Sequence, residues 1–497
     1  MSKLGRRRTL TVLAAGLVVS LACAAPGVAG SDDDVAQLQA LLEAQQQRID
    51  SLQQQVADAS TQDSDAARLD AMRNQIREIL GEQEFRESLM PSMLQAGYDN
   101  GFFIRSSDDQ FLMKFHGRMQ FRWNHYATRS DNRYLLPRTE RDDQTGFDIK
   151  RVRFHIDGHV YTPDLTYFLK FFADAPAGYD VQVLYAWLNY RFRDEFQMKF
   201  GMFQLASTRA GFASSGNMQF VEYPETVAVF DPGEGLGVRI WGQLFEKKLE
   251  YFLDIANSLN GRANRTITTD GARELDNNPA IVFRAVWHAI GEEPTRDFVS
   301  WADIDHKETP CLDLGFHYMF NDDAGDLRTT RVVFGRRTPL EGGFGVTNSN
   351  GVQINQFGLD AAFKYRGFSL SGEYMLRMLD VRRAWRTPYA PLWLLTGDDS
   401  TTVMHGAYVQ TGYFLPIPGL EKKLEAVARV GGISTNHGQQ EGTWFYSAGL
   451  NYYLQGNKVK LQTDVTKISE VPISSTGWLG NVNDDALIWR VQLQVAF

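Results

Sequence analysis

Cysteine is scarce in this chain of 497 residues, which contains only Cys23 and Cys311. We expect Cys23 to be removed with an N-terminal export signal, so that no intramolecular disulfide can form in the mature chain. An acylated Cys23 is the alternative, although Ser20 stands where a lipoprotein signal usually carries leucine. Cys311 is interpreted as a small buried hydrophobic residue. A disulfide framework is therefore excluded.

Long apolar segments are also scarce. Lys3 and Arg6 to Arg8, the apolar run 10–21 and the small residues from Gly27 to Ala29 predict a signal peptide over residues 1–30. No other stretch approaches the roughly 18 uncharged apolar residues of a transmembrane helix. If the mature chain crosses a membrane, we expect a β-barrel, whose alternating lipid-facing and lumen-facing residues average to ordinary polarity.

An excess of positive charge and the common catalytic motifs are missing too. The chain carries 51 Lys and Arg against 60 Asp and Glu, a net charge of −9, so nucleic acid is not an expected partner. It contains no Gly-x-Ser-x-Gly elbow and no convincing Ser/His/Asp set. We therefore expect neither an enzyme nor a cofactor, with a barrel-wall lipase or protease as the rival hypothesis.

Residues 31–95 show a heptad pattern, which predicts a periplasmic α-helical coiled coil. One heptad position is occupied by Val35, Leu42, Ile49 and Val56, and the position three residues later by Leu38, Gln45, Leu52 and Ala59. A second run resumes with a shifted phase at Leu69, Met72, Ile76 and Ile79. We expect self-association, with a lone amphipathic helix on the barrel as the alternative. Pro91 and Gly97 are predicted to form a hinge.

The period changes to two in the predicted barrel domain, residues 96–497. From Phe111 to Tyr126 one face carries Phe111, Met113, Phe115, Gly117, Met119, Phe121 and Trp123, while the other carries Lys114, His116, Arg118, Gln120, Arg122 and Asn124. Such a long alternation favours a transmembrane barrel strand over a soluble sandwich strand. The pattern repeats over 151–160.

Fourteen further segments complete a predicted 16-stranded antiparallel barrel: 164–174, 180–193, 196–204, 234–244, 247–258, 280–289, 311–320, 353–366, 367–379, 402–414, 422–433, 443–455, 457–468 and 484–497. Short connections such as 194–195 alternate with long ones such as 205–233, as expected for periplasmic turns and external loops. Segment 328–337 would make a seventeenth strand. An odd number of strands would place the N-terminal coiled coil and the C-terminus on opposite sides of the membrane, whereas both are expected in the periplasm. We therefore assign 321–352 to one external loop, which carries Arg328, Arg331, Arg336 and Arg337.

Several blocks resemble the phosphate-selective porins of the O and P type. Phe115 to Gln120 resembles the first barrel strand of that family, and Lys199 to Phe203 resembles the segment leading into its third loop. The blocks 367–375, 406–414 and 449–454 also resemble segments of that family, and they follow one another in the same order as in the family. The resemblance implies a trimeric barrel of sixteen strands whose third loop narrows a pore lined by arginines and lysines. The chain departs from the family in two respects. Glu222 is followed by Tyr223, where family members usually carry a Glu-Arg pair, and the predicted third loop is rich in acidic residues.

The polar faces suggest a pathway for anions, because rings of Arg and Lys can replace part of an anion's hydration shell. The predicted pathway residues are Lys114, Arg118, Arg122, Arg151, Arg153, Arg209, Arg328 and Arg331, and the resemblance places Arg118, Arg151 and Arg153 among the lumen-facing arginines. The alternative is a generic polar lining paired with Asp157 and loop carboxylates. No metal site is expected, since His155 and His159 on one strand lie about 13 Å apart.

These observations predict a porin in the outer membrane of a Gram-negative-type bacterium, with its N-terminal segment in the periplasm. The expected function is passive diffusion of small anions such as phosphate through a homotrimer embedded in lipid. The C-terminal Phe497 resembles the aromatic signal read by the outer-membrane assembly machinery. A general or sugar-type porin and an envelope-anchoring barrel with a structural coiled coil are the alternatives.

Overall fold

Sixteen strands form a closed antiparallel barrel, as the sequence predicts. The computed structural model describes residues 43–44, 46–51, 94–129, 143–173, 181–257, 259, 279–291, 300–323, 352–381, 401–435, 442–469 and 485–497. The chain divides into the units Met1–Ser92 and Met93–Phe497. In the first unit, residues 46–51 are helical. The predicted signal peptide, most of the predicted coiled coil and segment 328–337 lie outside the described residues. No helix in the described part of the chain is long and apolar enough to cross a membrane.

Two short strands precede the barrel: β1 (Leu94–Tyr98) and β2 (Phe102–Ser106). The barrel strands are β3 (Phe111–Arg129), β4 (Gln144–Val160), β5 (Thr162–Ala173), β6 (Gln182–Arg193), β7 (Phe196–Gln204), β8 (Glu234–Leu244), β9 (Leu249–Ala256), β10 (Ala280–Ile290), β11 (Cys311–Asp323), β12 (Val352–Tyr365), β13 (Phe368–Val381), β14 (Thr401–Phe414), β15 (Leu424–Thr435), β16 (Thr443–Gln455), β17 (Val459–Ser469) and β18 (Asp485–Ala496). Each strand pairs with its neighbour in sequence, and β18 pairs with β3 to close the ring. Two short helices, α1 (Arg209–Phe212) and α2 (Glu225–Phe230), interrupt the connection between β7 and β8.

The distribution of polar residues is inverted relative to that of a soluble protein. On β3, Met119 and Phe121 are 49% and 45% exposed, whereas the intervening Gln120 and Arg122 are 0% and 1% exposed. Because successive side chains of a strand point to opposite faces, the apolar side chains lie outside the ring and the polar ones inside it. The predicted outward and inward faces of this strand are confirmed.

One strand is longer than predicted because it contains a β-bulge. Gln120 pairs with Arg151 and Phe121 pairs with Ile149, so Lys150 is an extra residue in β4. The insertion reverses the phase of the alternation, since Phe154 on one side of it and Phe147 on the other are both exposed. The sequence pattern therefore breaks near residue 151, although the strand continues back to Gln144.

The β1–β2 hairpin is a feature that the sequence did not predict. β2 pairs with β3 from Phe102↔Phe115 to Arg105↔Leu112, and it continues the sheet beyond the end of β18. Gly97 pairs with Phe103 inside this hairpin, so the predicted hinge at Gly97 is wrong. The hairpin strands of five residues were too short to show a clear alternation. The last residue, Phe497, exchanges two backbone hydrogen bonds of 3.0 Å with Gly117.

The barrel has one end with short connections, called here the short-turn end, and an opposite loop end. At the short-turn end, the predicted tight turn between β12 and β13 is present, with positive φ at both Arg366 and Gly367 as a type I′ turn requires. The connection 291–310 is an exception, because it is long although it lies at the short-turn end. Its residues 300–310 pack against the barrel mouth, where the Gly367 N–H donates to Asp303 at 2.7 Å.

Candidate functional site

The connection 205–233, called here the inner loop, lies within the barrel lumen. Most of its residues are buried, and its tip reaches the wall opposite its attachment to β7. There Gln494 donates to the Gly216 carbonyl at 2.9 Å, and Lys460 donates to the Met218 carbonyl at 2.7 Å. This is the third loop that the family resemblance expects to narrow the pore.

Wall side chains supply the hydrogen bonds that the backbone of the inner loop cannot make with itself. A buried carbonyl or N–H without a partner is costly, so each must be matched by the wall. Its carbonyls accept from the guanidinium groups of Arg122, Arg284, Arg377 and Arg429, and Arg239 donates to the carbonyl of Gln204, the last residue of β7. Its N–H groups donate to carboxylates of the wall: Ala206 to Asp254 at 2.8 Å, and Val221 to Asp464 at 2.7 Å. The loop is therefore fixed at many points around the ring.

One attachment of the inner loop is a buried ion-pair cluster around Glu222. The Glu222 carboxylate accepts from Arg122 at 2.7 Å and from Arg151 at 2.9 Å, and the Lys150 ammonium lies 3.2 Å from it. Arg151 and Lys150 are consecutive residues, and both reach the lumen because of the bulge at Lys150. Three cations around one carboxylate leave an excess of positive charge at this point of the lumen.

A second charged cluster joins the start of the inner loop to β10–β13. The Arg284 guanidinium lies 2.8 Å from the Asp360 carboxylate, and Arg209 lies 3.8 Å from the same carboxylate and 3.7 Å from Asp313. Glu373 accepts from the first N–H groups of α1, with a distance of 3.0 Å to the Arg209 nitrogen. A carboxylate is favoured there because the first N–H groups of a helix have no internal partner.

One sector of the wall is less covered than the rest. The lumen-facing side chains of β9–β18 are nearly all buried. On β3–β7, called here the open wall, a set of lumen-facing residues is partly exposed: Lys114, His116, Arg118, His155, Phe168, Lys170, Tyr185, Trp187 and Lys199. The open wall is the part of the described lumen where a solute can meet side chains of the barrel.

Four stacked rings cross the open wall from strand to strand. The centroid distances are 4.4 Å from His116 to His155, 5.1 Å from His155 to Phe168 and 5.3 Å from Phe168 to Trp187. The Lys199 ammonium ends the row, 3.9 Å from the Trp187 centroid. A cation over an aromatic face is held electrostatically by the ring quadrupole, which fixes the position of this positive charge.

The structure separates the predicted pathway residues into two groups. Arg122 and Arg151 bind Glu222 of the inner loop. Arg209 belongs to the inner loop itself and lies near the wall residues Asp313 and Asp360. The others described lie on or beside the open wall: Lys114 is 3.1 Å from Asp99, Arg118 donates to Ser214 and Ser215, and Arg153 lies 4.9 Å from the Phe172 centroid. Arg328 and Arg331 lie outside the described residues.

Three lysines were not among the predicted pathway residues. Lys170 and Lys199 stand on the polar faces of the predicted strands 164–174 and 196–204, so the alternation alone could have identified them. Lys150 could not be identified in this way, because a regular alternation would point it toward lipid and only the bulge turns it inward.

Part of the chain matches a known protein family. Residues 118–250 match the family described as phosphate-selective porin O and P. No curated protein is detectably similar to the chain in sequence. Among solved structures, the anion-selective porin from Comamonas acidovorans is 8% identical with a TM-score of 0.48, covering 78% of this chain and 99% of that chain.

Two further solved structures give similar values. OmpT of Vibrio cholerae is 10% identical with a TM-score of 0.47, covering 81% of this chain and 99% of that chain. The outer membrane channel DcaP of Acinetobacter baumannii is 11% identical with a TM-score of 0.46, covering 78% of this chain and 97% of that chain. The family match carries the conclusion: the predicted resemblance to the phosphate-selective porins O and P is confirmed across residues 118–250.

Proposed function

We propose that this protein is an outer-membrane porin through which small anions diffuse between the inner loop and the open wall. The observation that carries the proposal is the partial exposure of cationic side chains on the open wall, while the lumen-facing residues of β9–β18 are nearly all buried. A closed barrel pairs every strand edge, so it can cross hydrocarbon without unsatisfied backbone groups. Transport then needs only a suitable lining and no catalytic step.

The charge of the lining favours anions. Arg118, Lys170 and Lys199 follow one another around the open wall on β3, β5 and β7, and Arg153 stands directly opposite Arg118 in the register of β3 and β4. The ion-pair cluster at Glu222 adds further positive charge, because three cations surround that carboxylate. In a narrow, low-dielectric lumen such charges attract anions and repel cations. Phosphate is the solute class suggested by the family match.

The membrane location is supported by the outer surface. Exposed aromatic side chains occur toward both ends of the barrel, including Trp444 and Trp489 at the loop end and Tyr161 at the short-turn end. Aromatic residues concentrate at membrane interfaces, where one end of the ring is apolar and the other is hydrated. We propose that the short-turn end faces the periplasm, that the predicted coiled-coil segment 31–95 is periplasmic, that the porin is a trimer as the family resemblance implies, and that Phe497 is read during assembly.

Reversal potentials in planar bilayers test the proposal. We expect the purified protein to form steady channels that prefer chloride over potassium in a salt gradient, and to remain anion-preferring when phosphate replaces chloride. Arg118→Glu and Arg153→Glu should each shift the reversal potential toward cation preference. Arg191→Glu is the matched control, because Arg191 lies exposed at the β6–β7 turn beside Asp164.

Each result decides between the hypotheses. Cation preference in the wild-type protein would overturn the anion pathway while leaving a porin in place. Complete lack of conductance by a folded barrel would favour the envelope-anchoring alternative. Unchanged reversal potentials in both Arg118→Glu and Arg153→Glu would show that the solute path does not follow the open wall.

A further inference from the structure

Two imidazoles and a carboxylate meet on the open wall where β3 pairs with β4. His116 and His155 are direct partners in the strand register. The Nε2 atom of His116 lies 3.0 Å from Oδ1 of Asp157, and the Nε2 atom of His155 lies 3.7 Å from the same oxygen. One ligand atom from each residue can be chosen so that all three lie within 4.8 Å of one another. The two histidines come from different strands, so their spacing along the sequence does not reveal the cluster.

The donor atoms and their spacing in this cluster suit a zinc-class divalent cation, although the two imidazoles are stacked 4.4 Å apart with 9° between their planes and must turn for both nitrogens to point at one ion. Zn²⁺ binds imidazole nitrogen and carboxylate oxygen at about 2.0–2.2 Å with tetrahedral geometry, which puts neighbouring ligand atoms about 3.4 Å apart. The two distances from histidine to Asp157, 3.0 and 3.7 Å, lie on either side of that value. Two imidazoles with one carboxylate suit zinc, nickel or copper better than magnesium or calcium, which prefer sets of oxygen ligands.

The two rings are held in place by their surroundings. A Cβ atom added to Gly101 would lie 2.5 Å from Cε1 of His116, so the β1–β2 turn rests directly against this imidazole. Phe168 stacks on His155 with a centroid distance of 5.1 Å. These contacts keep both imidazoles beside Asp157, so ion binding requires the rings to turn but requires no movement of the paired strands.

The cluster is also reachable from the lumen. The side chains of His116, His155 and Asp157 are 18%, 28% and 34% exposed, respectively. A fourth coordination position therefore remains open to water or to a dissolved anion. Lys170 pairs with His155 in the register of β4 and β5, and its positive charge favours an anion over water at that position.

We propose that His116, His155 and Asp157 form a binding site for a zinc-class divalent cation inside the lumen, with water or a passing anion as the fourth ligand. The bound cation adds positive charge to the open wall, between residues that already attract anions. Zinc would thus act as an additional anion-binding point and would strengthen the anion preference of the channel.

Isothermal titration of the full-length, untagged, detergent-folded protein with zinc chloride after chelator treatment tests the site. We expect one Zn²⁺ per chain, and His155→Ala and Asp157→Asn should each raise the Kd at least about tenfold, since loss of even an outer-shell partner costs 10–100-fold. Cobalt should give the visible absorption of a tetrahedral site in the wild type and not in His155→Ala. His125→Ala is the matched control, since His125 bonds Thr145 at 2.7 Å near the loop end.

The outcomes of this titration are independent of channel activity. Stoichiometric binding that is retained in His125→Ala and weakened in the two ligand variants supports the site. Absence of stoichiometric binding in the folded wild type overturns it, and so does binding that all variants retain. Heat-dependent gel mobility confirms that each variant is folded. His155→Ala removes a ring from the stack, so Asp157→Asn, which keeps the size of the side chain, is the second test of the site. A negative result here would leave the proposed anion path unchanged.

Discussion

Replacing Glu222 by glutamine should release the part of the inner loop near residue 222 while leaving the barrel closed. The carboxylate of Glu222 is 2% exposed, accepts from Arg122 and Arg151 and forms an ion pair with Lys150. Glutamine keeps the shape of the side chain but removes the charge, so three cations remain buried without their counter-ion. The strand ladders of the barrel do not involve this side chain, so the loss should affect the docking of the loop rather than the ring.

The magnitude follows from the burial of the cluster. Removing one partner of a buried ion pair costs about 3–5 kcal/mol, because the remaining charge stays desolvated. Since 1.4 kcal/mol corresponds to a factor of ten in an equilibrium constant, a cost of about 4 kcal/mol shifts the ratio of docked to undocked loop by nearly a thousandfold. Other attachments of the inner loop limit the displacement to the region near residue 222.

Single-channel recording measures this effect directly. We expect the wild type to conduct at one steady level, and Glu222→Gln to show frequent transitions to higher conductance together with stronger anion preference. Glu195→Gln, an exposed carboxylate at the β6–β7 turn, is the control and should match the wild type. Steady currents of wild-type size from folded Glu222→Gln would refute the role assigned to this cluster.

Three further predictions concern folding and assembly. Gly117→Val should reduce the yield of folded barrel in detergent, because its Cβ would lie 2.3 Å from the Phe497 ring, whereas Gly146→Val should fold normally since nothing lies within 4 Å of a Cβ there. Arg366→Asn should raise the free energy of unfolding by about 0.5–1 kcal/mol in a denaturant titration, because asparagine tolerates the positive φ of a type I′ turn better than arginine; an unchanged midpoint would contradict this. Ile49→Lys should weaken self-association in sedimentation experiments if residues 31–95 form a coiled coil, since Ile49 is 47% exposed in the single chain.

Most of the barrel could be predicted from the sequence because the strand period is a local property. In β3, the alternation of Met119 and Phe121 with Gln120 and Arg122 is enough to assign the outer and inner faces. The tight turn at Arg366 and Gly367 was also predictable from the residues on either side of it. The bulge at Lys150 was not predictable, since one inserted residue reverses the phase and resembles the end of a strand.

The contacts across the lumen could not be predicted in the same way. Alternation shows that Arg122 and Arg118 both point inward, but it does not show which of them the inner loop covers. That depends on the path of residues 205–233, which is set by bonds to distant strands such as that from Lys460 to the Met218 carbonyl. The meeting of His116 with His155 is likewise a matter of register between two strands.

On the proposed function, the path of the inner loop sets the ion selectivity, because it decides which cations of the wall are left uncovered. Arg122 and Arg118 are four residues apart on one face of β3, yet Arg122 is 1% exposed and bound to Glu222, while Arg118 is partly exposed and bonds Ser214 and Ser215 of the loop tip. If the loop were fixed elsewhere, other cations of the wall would meet the solute. A change in the attachment of the loop should therefore alter ion preference even when every residue of the open wall is retained.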